Sequence, residues 1–140
     1  MPTSFSHLRF LKLSIRCNKD QIHVIIFLLK RCPNLETLVI DIVELYRWYS
    51  CKFKWGEDIE SGQSVFKCMM YHLKKVEIRH FGGHENEIEF VKVFLKNAKA
   101  LQKVCIRFRQ GLIDLRMQTK ISEMILALPR TSSNVVMLFS

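Results

Sequence analysis

The chain has 140 residues, 49% of them hydrophobic, which is long enough for one domain with a buried core and too apolar for a disordered polymer. Lys and Arg number 22 against 13 Asp and Glu, a formal charge of +9, and such a surplus favours acidic partners: nucleic acid, an anionic membrane surface or an acidic protein. The basic residues are scattered and never form a run of five, so the same surplus also reads as a solvated surface.

The first element is "LRFLKLS" from Leu8, an apolar-x-x-apolar-x-apolar phrase of strand type. Asp20 can cap a helix running to about Arg31, with Ile22, Ile25, Ile26 and Leu29 on one stripe, and Cys32-Pro33 ends it. The strand phrase returns as "LETLVID" from Leu35. The stretch from Ile42 to Met70 breaks the pattern; it holds Tyr46, Trp48, Tyr49, Phe53 and Trp55 and the turn-forming "SGQS". These rings read as a plug for a wide gap in the core, or as an aromatic contact patch for a partner.

A third phrase, "LKKVEIR", starts at Leu73 and a fourth, "LQKVCIR", at Leu101. Between them a helix is expected from about Asn86 to Ala98, with Ile88, Val91, Phe94, Leu95 and Ala98 at helical spacing. Gly82-Gly83 precedes it, where positive φ is needed, and Glu85, Glu87 and Glu89 lie near its positive end. A further helix is expected from about Leu115 to Leu128, with Met117, Ile121, Met124, Ile125 and Leu128 facing inward. Pro129 stops it, and "NVVMLF" from Asn134 to Phe139 reads as a last strand.

Leu8 to Leu35 spans 27 residues and Leu73 to Leu101 spans 28, within the range of about 20–29 for leucine-rich repeats. A larger unit repeats as well: "HLRFLKL" matches "HLKKVEI" at an offset of 65, and "LLKRCPNLETLVI" matches "FLKNAKALQKVCI" at 66. The fold class expected is α/β: a leucine-rich-repeat-like solenoid with a curved parallel sheet on one side and helices on the other. Leu11, Leu13, Leu38, Ile40, Val76, Ile78, Val104 and Ile106 should point inward, so the recurrence serves packing rather than chemistry.

Residues Ser64 to Phe108 resemble the FBD domain of plant F-box/FBD/leucine-rich-repeat proteins. The resemblance is carried by Val65, Cys68, His72-Leu73-Lys74, Val76-Glu77-Ile78, Phe81, Gly82, Glu87, Glu89-Phe90-Val91-Lys92 and Leu95-Lys96-Asn97-Ala98. "ISEMILALPRTSS", Ile121 to Ser133, is similar to the family's closing helix and Leu-Pro-Arg stop. Phe66 stands where members usually have proline. The resemblance implies terminal leucine-rich repeats over 1–63 and an FBD domain over 64–140, continuous as one solenoid. It further implies a non-catalytic protein-interaction module, like the substrate-recognition end of a Skp–cullin–F-box ubiquitin-ligase adaptor. The family's F-box docks on the Skp-type adaptor; with only seven residues before Leu8, this chain is expected to lack that element, as a truncated copy would.

Five cysteines occur, Cys17, Cys32, Cys51, Cys68 and Cys105, an odd count with no C-x-x-C pair. That pattern excludes a disulfide framework and a zinc finger, and reduced thiols fit a cytoplasmic or nuclear protein. "MPTSFSHLRF" lacks a signal-peptide core, and the longest apolar run, Val24 to Leu29, is too short to span a bilayer. No nucleophile elbow or phosphate loop is written. His80 and His84 flank Phe81-Gly82-Gly83 in a loop and share no helical face. No catalytic, cofactor-binding or metal-binding residue and no small-molecule substrate is therefore expected.

The outward positions of the ladder are the candidates for partner binding: Lys12, Thr37, Asp41, Lys75, Glu77, Arg79, Lys103 and Arg107. The later strands present four basic residues and one acid, which suits an acidic protein segment. Nucleic acid is the alternative partner, less favoured because no motif is present and no aromatics interleave with the basic residues on one strand face.

Overall fold

Each recurring phrase folds as a strand. In the computed structural model, which describes residues 7–15, 25, 28, 29, 31–42, 72–83, 85–111, 114–132 and 134–140, the strands are β1 (Phe10–Ile15), β2 (Thr37–Ile42), β3 (Lys75–Phe81), β4 (Lys103–Phe108) and β5 (Val136–Phe139). They form one sheet in chain order, and every neighbouring pair is parallel. Parallel neighbours require a crossover. Helix α1 (Glu85–Asn97) joins β3 to β4 and α2 (Leu115–Leu126) joins β4 to β5. Ile25, Leu28, Leu29 and Arg31 are also helical, where the sequence places its first helix; the rest of that helix and the aromatic stretch Tyr46–Trp55 lie outside the described residues.

The repetition in the sequence is repeated in the hydrogen bonds. Arg9 O accepts from both Glu36 N and Thr37 N, Glu36 O from Lys74 N and Lys75 N, and Lys74 O from Gln102 N and Lys103 N. One carbonyl per repeat thus holds the start of the next strand. The residues before β2 and β4 also match: Leu29, Cys32 and Leu35 are buried like Leu95, Ala98 and Leu101. The Leu35 N–H donates to Cys32 O as the Leu101 N–H does to Ala98 O.

In-register pairing stacks like on like. Leu11, Leu38, Val76, Val104 and Met137 form one row across the sheet, and Leu13, Ile40, Ile78, Ile106 and Phe139 the next. The six members on β2, β3 and β4 are buried, whereas Leu11 and Leu13, on the terminal strand, are only partly covered. With Phe90, Val91, Phe94 and Leu95 of α1 and Ile121 and Ile125 of α2 these rows make one core. Both helices therefore lie over the same face of the sheet.

The last helix departs from expectation. It ends at Leu126, and Met117 and Met124 are about half exposed rather than inward. Only Ile121 and Ile125 are buried in it. The reason is a narrow seat: Ile121 packs on Gly83, where a Cβ would come within 2.3 Å of its Cδ1, so one residue per turn meets the core. Gly83 also has φ +75°, where only glycine is unstrained. Asp114 caps α2 by accepting from Met117 N at 2.8 Å. The segment after Pro129 in turn caps α1. Thr131 donates through N and Oγ1 to Leu95 O and Lys96 O, which are orphan acceptors at a helix end.

Two outcomes follow from this packing. Leu38→Ala should lower the unfolding free energy by about 2–5 kcal/mol, the range for a buried Leu cavity, while Lys75→Ala on the other face should change it by under about 0.5 kcal/mol; urea denaturation of both variants measures the difference. Gly83→Ala should destabilise by about 1–3 kcal/mol, because positive φ and overpacking against Ile121 act together, and Ile121→Ala should make the substitution less damaging in a double-mutant cycle.

Candidate functional site on the open sheet face

The face opposite the helices is organised by the same register. One row runs Phe10, Thr37, Lys75, Lys103 and Val136; the next runs Lys12, Val39, Glu77, Cys105 and Leu138. Ser14, Asp41, Arg79 and Arg107 stand beyond them, toward the C-terminal ends of the strands. Lys75 and Lys103 face each other directly, an arrangement of like charges that is unfavourable on its own and attractive to an anion.

Glu77 is the centre of this face. Although it points away from the core, it is only 5% exposed, because two cations close over it. Its Oε2 accepts from Arg79 Nε at 2.8 Å, and its Oε1 lies 3.4 Å from Arg107 Nε. A nearly dry carboxylate between two guanidinium groups is stabilised by charge-assisted bonds stronger than neutral ones. Val39, beside it in register, is likewise buried at 4%, so strict alternation overstates how open the middle of this face is.

Next to Glu77 the ladder is interrupted. β3 and β4 are in register to Ile78 and Ile106 and resume at Phe81 and Phe108, so Arg79 and His80 together oppose Arg107. This is a β-bulge, and His80 accommodates it with φ +60°, an uncommon conformation for a non-glycine residue. The bulge swings the His80 ring toward β2, where Nδ1 meets Asp41 Oδ1 at 2.5 Å. It also presents the His80 carbonyl to Arg109. Arg109 Nη2 donates to His80 O at 3.4 Å and to Ile42 O at 3.3 Å, lying 9% exposed across the ends of β2 and β3. Arg79, His80, Arg107, Phe108, Arg109 and Gln110 together line an open cavity of about 520 Å3.

Of the positions expected to bind a partner, Asp41, Glu77, Arg79 and Arg107 come together in this cluster, while Lys75 and Lys103 pair at the opposite ends of β3 and β4. Thr37 stands beside Lys75 in the same row, and Lys12 stands apart on β1. Asp41 and Glu77 are committed to His80 and to the two arginines. Sequence reasoning missed His80, Arg109 and Gln110. Continuing the alternation of "VCIRFR" by one step would have reached Arg109; nothing local announces the bulge that brings in His80. His84, the other histidine of the loop, lies outside the described residues, and among the described residues no three His, Cys, Asp or Glu side chains gather as a metal site would. Burial pushes the Cys32 thiol up from its ordinary pKa. No helix among the described residues is long and apolar enough to cross a membrane.

The FBD family profile matches residues 60–106, a span holding β3, α1 and most of β4. The chain is a plant FBD-type protein. A relative from Arabidopsis thaliana named for its F-box, FBD and LRR repeats is 30% identical over 114 residues, 74% of this chain and 22% of that protein. An FBD-associated F-box protein of the same plant is 32% identical over 106 residues, 76% of this chain and 21% of its own length. An F-box/FBD/LRR-repeat protein is 28% identical over 123 residues, 87% and 26%. The FBD-type chain thus spans about a fifth to a quarter of these curated relatives. No solved structure matches it. Glu77 and Arg79 lie in β3 within the profile match, while Arg107 and Arg109 lie one and three residues beyond its last residue, Ile106.

Glu77→Gln should release both guanidinium groups. We expect a loss of about 1–2 kcal/mol in stability, toward the low end for bonds to charged groups because both arginines retain access to water. The sharper readout is NMR: the Nε–Hε resonances of Arg79 and Arg107 should lose dispersion and order, while that of Arg109 should not move.

Proposed function

We propose that this chain is a non-catalytic protein-interaction module, akin to the substrate-recognition end of a ubiquitin-ligase adaptor, and that it holds an acidic protein segment on the open face of its sheet. The observation that carries the reading is the charge of that face. Lys12, Lys75, Arg79, Lys103 and Arg107 stand there against Asp41 and Glu77, and both acids are already paired. The names of the relatives support the ligase setting, since they carry F-box together with FBD or LRR.

The architecture fits the same reading as the terminal part of a leucine-rich-repeat-like solenoid, with repeats over 1–63 running into an FBD domain over 64–140. What supports it is the strand order, the parallel pairing and the carbonyl that recurs at each strand start. A solenoid's exposed ladder offers an extended surface for a polypeptide.

A salt titration tests the partner class. A polyglutamate peptide should bind with micromolar to millimolar affinity, and Lys103→Glu combined with Arg107→Glu should weaken it by about tenfold or more. A short DNA duplex should bind more weakly. Tighter binding of the duplex, with the steep log–log salt slope of many phosphate contacts, would assign the basic face to nucleic acid instead.

A further inference from the structure

The outer side of β5 shows which of its main-chain groups face away from the sheet. The Val136 N–H donates to Gln102 O, the Ser140 N–H donates to Ile106 O, and Ser140 O accepts from Phe108 N. The even-numbered residues therefore turn their main chain toward β4. Alternation turns the N–H and C=O of Met137 and Phe139 outward, where they meet no partner among the described residues. An open edge of this kind is a template for another strand.

The side chains of that edge are apolar. Val136 is 55% and Leu138 45% exposed on the open face, while Met137 and Phe139 are only partly buried against the core. Among the described residues the exposed large apolar side chains gather in the last two elements. They are Leu115, Met117, Met124 and Leu126 of α2 and Val136 and Leu138 of β5, with Phe10 the exception. Edge strands are ordinarily guarded by a charge or a proline. β5, "VMLF", has neither, and among the described strands it alone holds no charged residue.

Charge selects the occupant. An acidic segment would find no cation in β5 to meet. A second copy of the chain carries +9 and is repelled wherever Lys and Arg surfaces meet, so an uncharged edge is where two copies can approach. The opposite edge of the sheet, β1, carries Lys12 in the row of Leu138. Stacking β5 on β1 would set an ammonium beside a leucine, whereas β5 on β5 sets apolar residues together.

We infer that β5 pairs antiparallel with β5 of a second copy about a two-fold axis at Leu138. In that register Met137 lies opposite Phe139 of the second copy, and Phe139 opposite its Met137. Each pair exchanges both N–H···O bonds, so every outward group of Met137 and Phe139 is met. Leu138 faces its own counterpart at the site without hydrogen bonds, where side chains come closest. On the helix side each methionine sulfur lies beside a ring, a favourable contact. The contact is isologous and closes as a dimer, joining two five-stranded sheets into one. It uses no charged side chain and does not rest on the acidic-partner reading.

Sedimentation velocity of the full chain, in a concentration series reaching about 1 mM, should show a monomer–dimer equilibrium. In the same series the Met137 and Phe139 amides should gain protection from hydrogen exchange, while the outward Lys12 amide of β1 should not. Leu138→Lys and Leu138→Glu, at a half-exposed position off the core, should each weaken association by about tenfold or more, because like charges then face each other. An equimolar mixture of the two variants should restore the dimer, because opposite charges then meet. A chain that stays monomeric throughout overturns the inference, as does a dimer that leaves the Met137 and Phe139 amides unprotected. Weakening by Leu138→Lys with strengthening by Leu138→Glu assigns β5 to Lys12 of β1 in a head-to-tail contact and overturns the two-fold pairing. Two folded variants that each fail to associate and are not rescued by mixing show that Leu138 does not face its own counterpart, and the inference falls.

Discussion

The in-register stacking of apolar residues across five parallel strands is the constraint on which the rest depends. A slip of one residue in any strand would turn its buried side chains outward and its charges inward. Because Leu38, Val76 and Val104 must stack, and Ile40, Ile78 and Ile106 must stack beside them, the outward rows are fixed without any interaction of their own. Lys75 is driven against Lys103, and Glu77 is placed two residues from Arg79 and diagonal to Arg107. The electrostatics of the open face are a by-product of the core's register. That explains how a repulsive lysine pair persists on a stable sheet: the apolar rows beneath contribute far more than an exposed pair of like charges subtracts.

Among the described residues, the register yields at the bulge at Arg79–His80. An extra residue bends the strand and leaves backbone groups unpaired, and the local side chains answer both effects. Asp41 takes the His80 ring, and Arg109 takes the His80 carbonyl together with Ile42 O. Buried backbone acceptors are expensive to leave unmet, so Arg109 has a structural reason to be where it is. The same residue lines the cavity, whereas Arg107 is more exposed and is bonded to Glu77 among the described residues.

The strands, their order and most inward residues were legible in the sequence, because each phrase has a period of two and two of the three intervals between phrases, 27 and 28 residues, match each other. Helix α1 was legible for the same reason: Val91, Phe94, Leu95 and Ala98 all find the core. Met117 and Met124 misled because a helical stripe says which face is apolar and not how wide a seat the neighbour offers; Gly83 offers room for Ile121 and little more. The candidate site was half legible. Arg79 and Arg107 follow from alternation, but Glu77 looks like a surface acid until two guanidinium groups are seen to bury it. His80 stands out in the sequence only as one of two loop histidines, since the bulge that brings it to this cluster is a property of two strands at once and neither strand's sequence contains it.

The position of the cluster within the sheet follows from the same asymmetry. At the starts of the strands each carbonyl of Arg9, Glu36 and Lys74 is already shared between two N–H donors of the next strand, so that end is closed by main chain. At the far end the Arg109 N–H donates to Phe81 O between β4 and β3, and the Arg109 side chain reaches Ile42 O and His80 O across the ends of β2 and β3. A side chain long enough to span two strand ends, and permanently charged, meets both carbonyls at once. The main chain of the repeat closes the start of the sheet, and at the other end one buried side chain, Arg109, joins the ends of two strands.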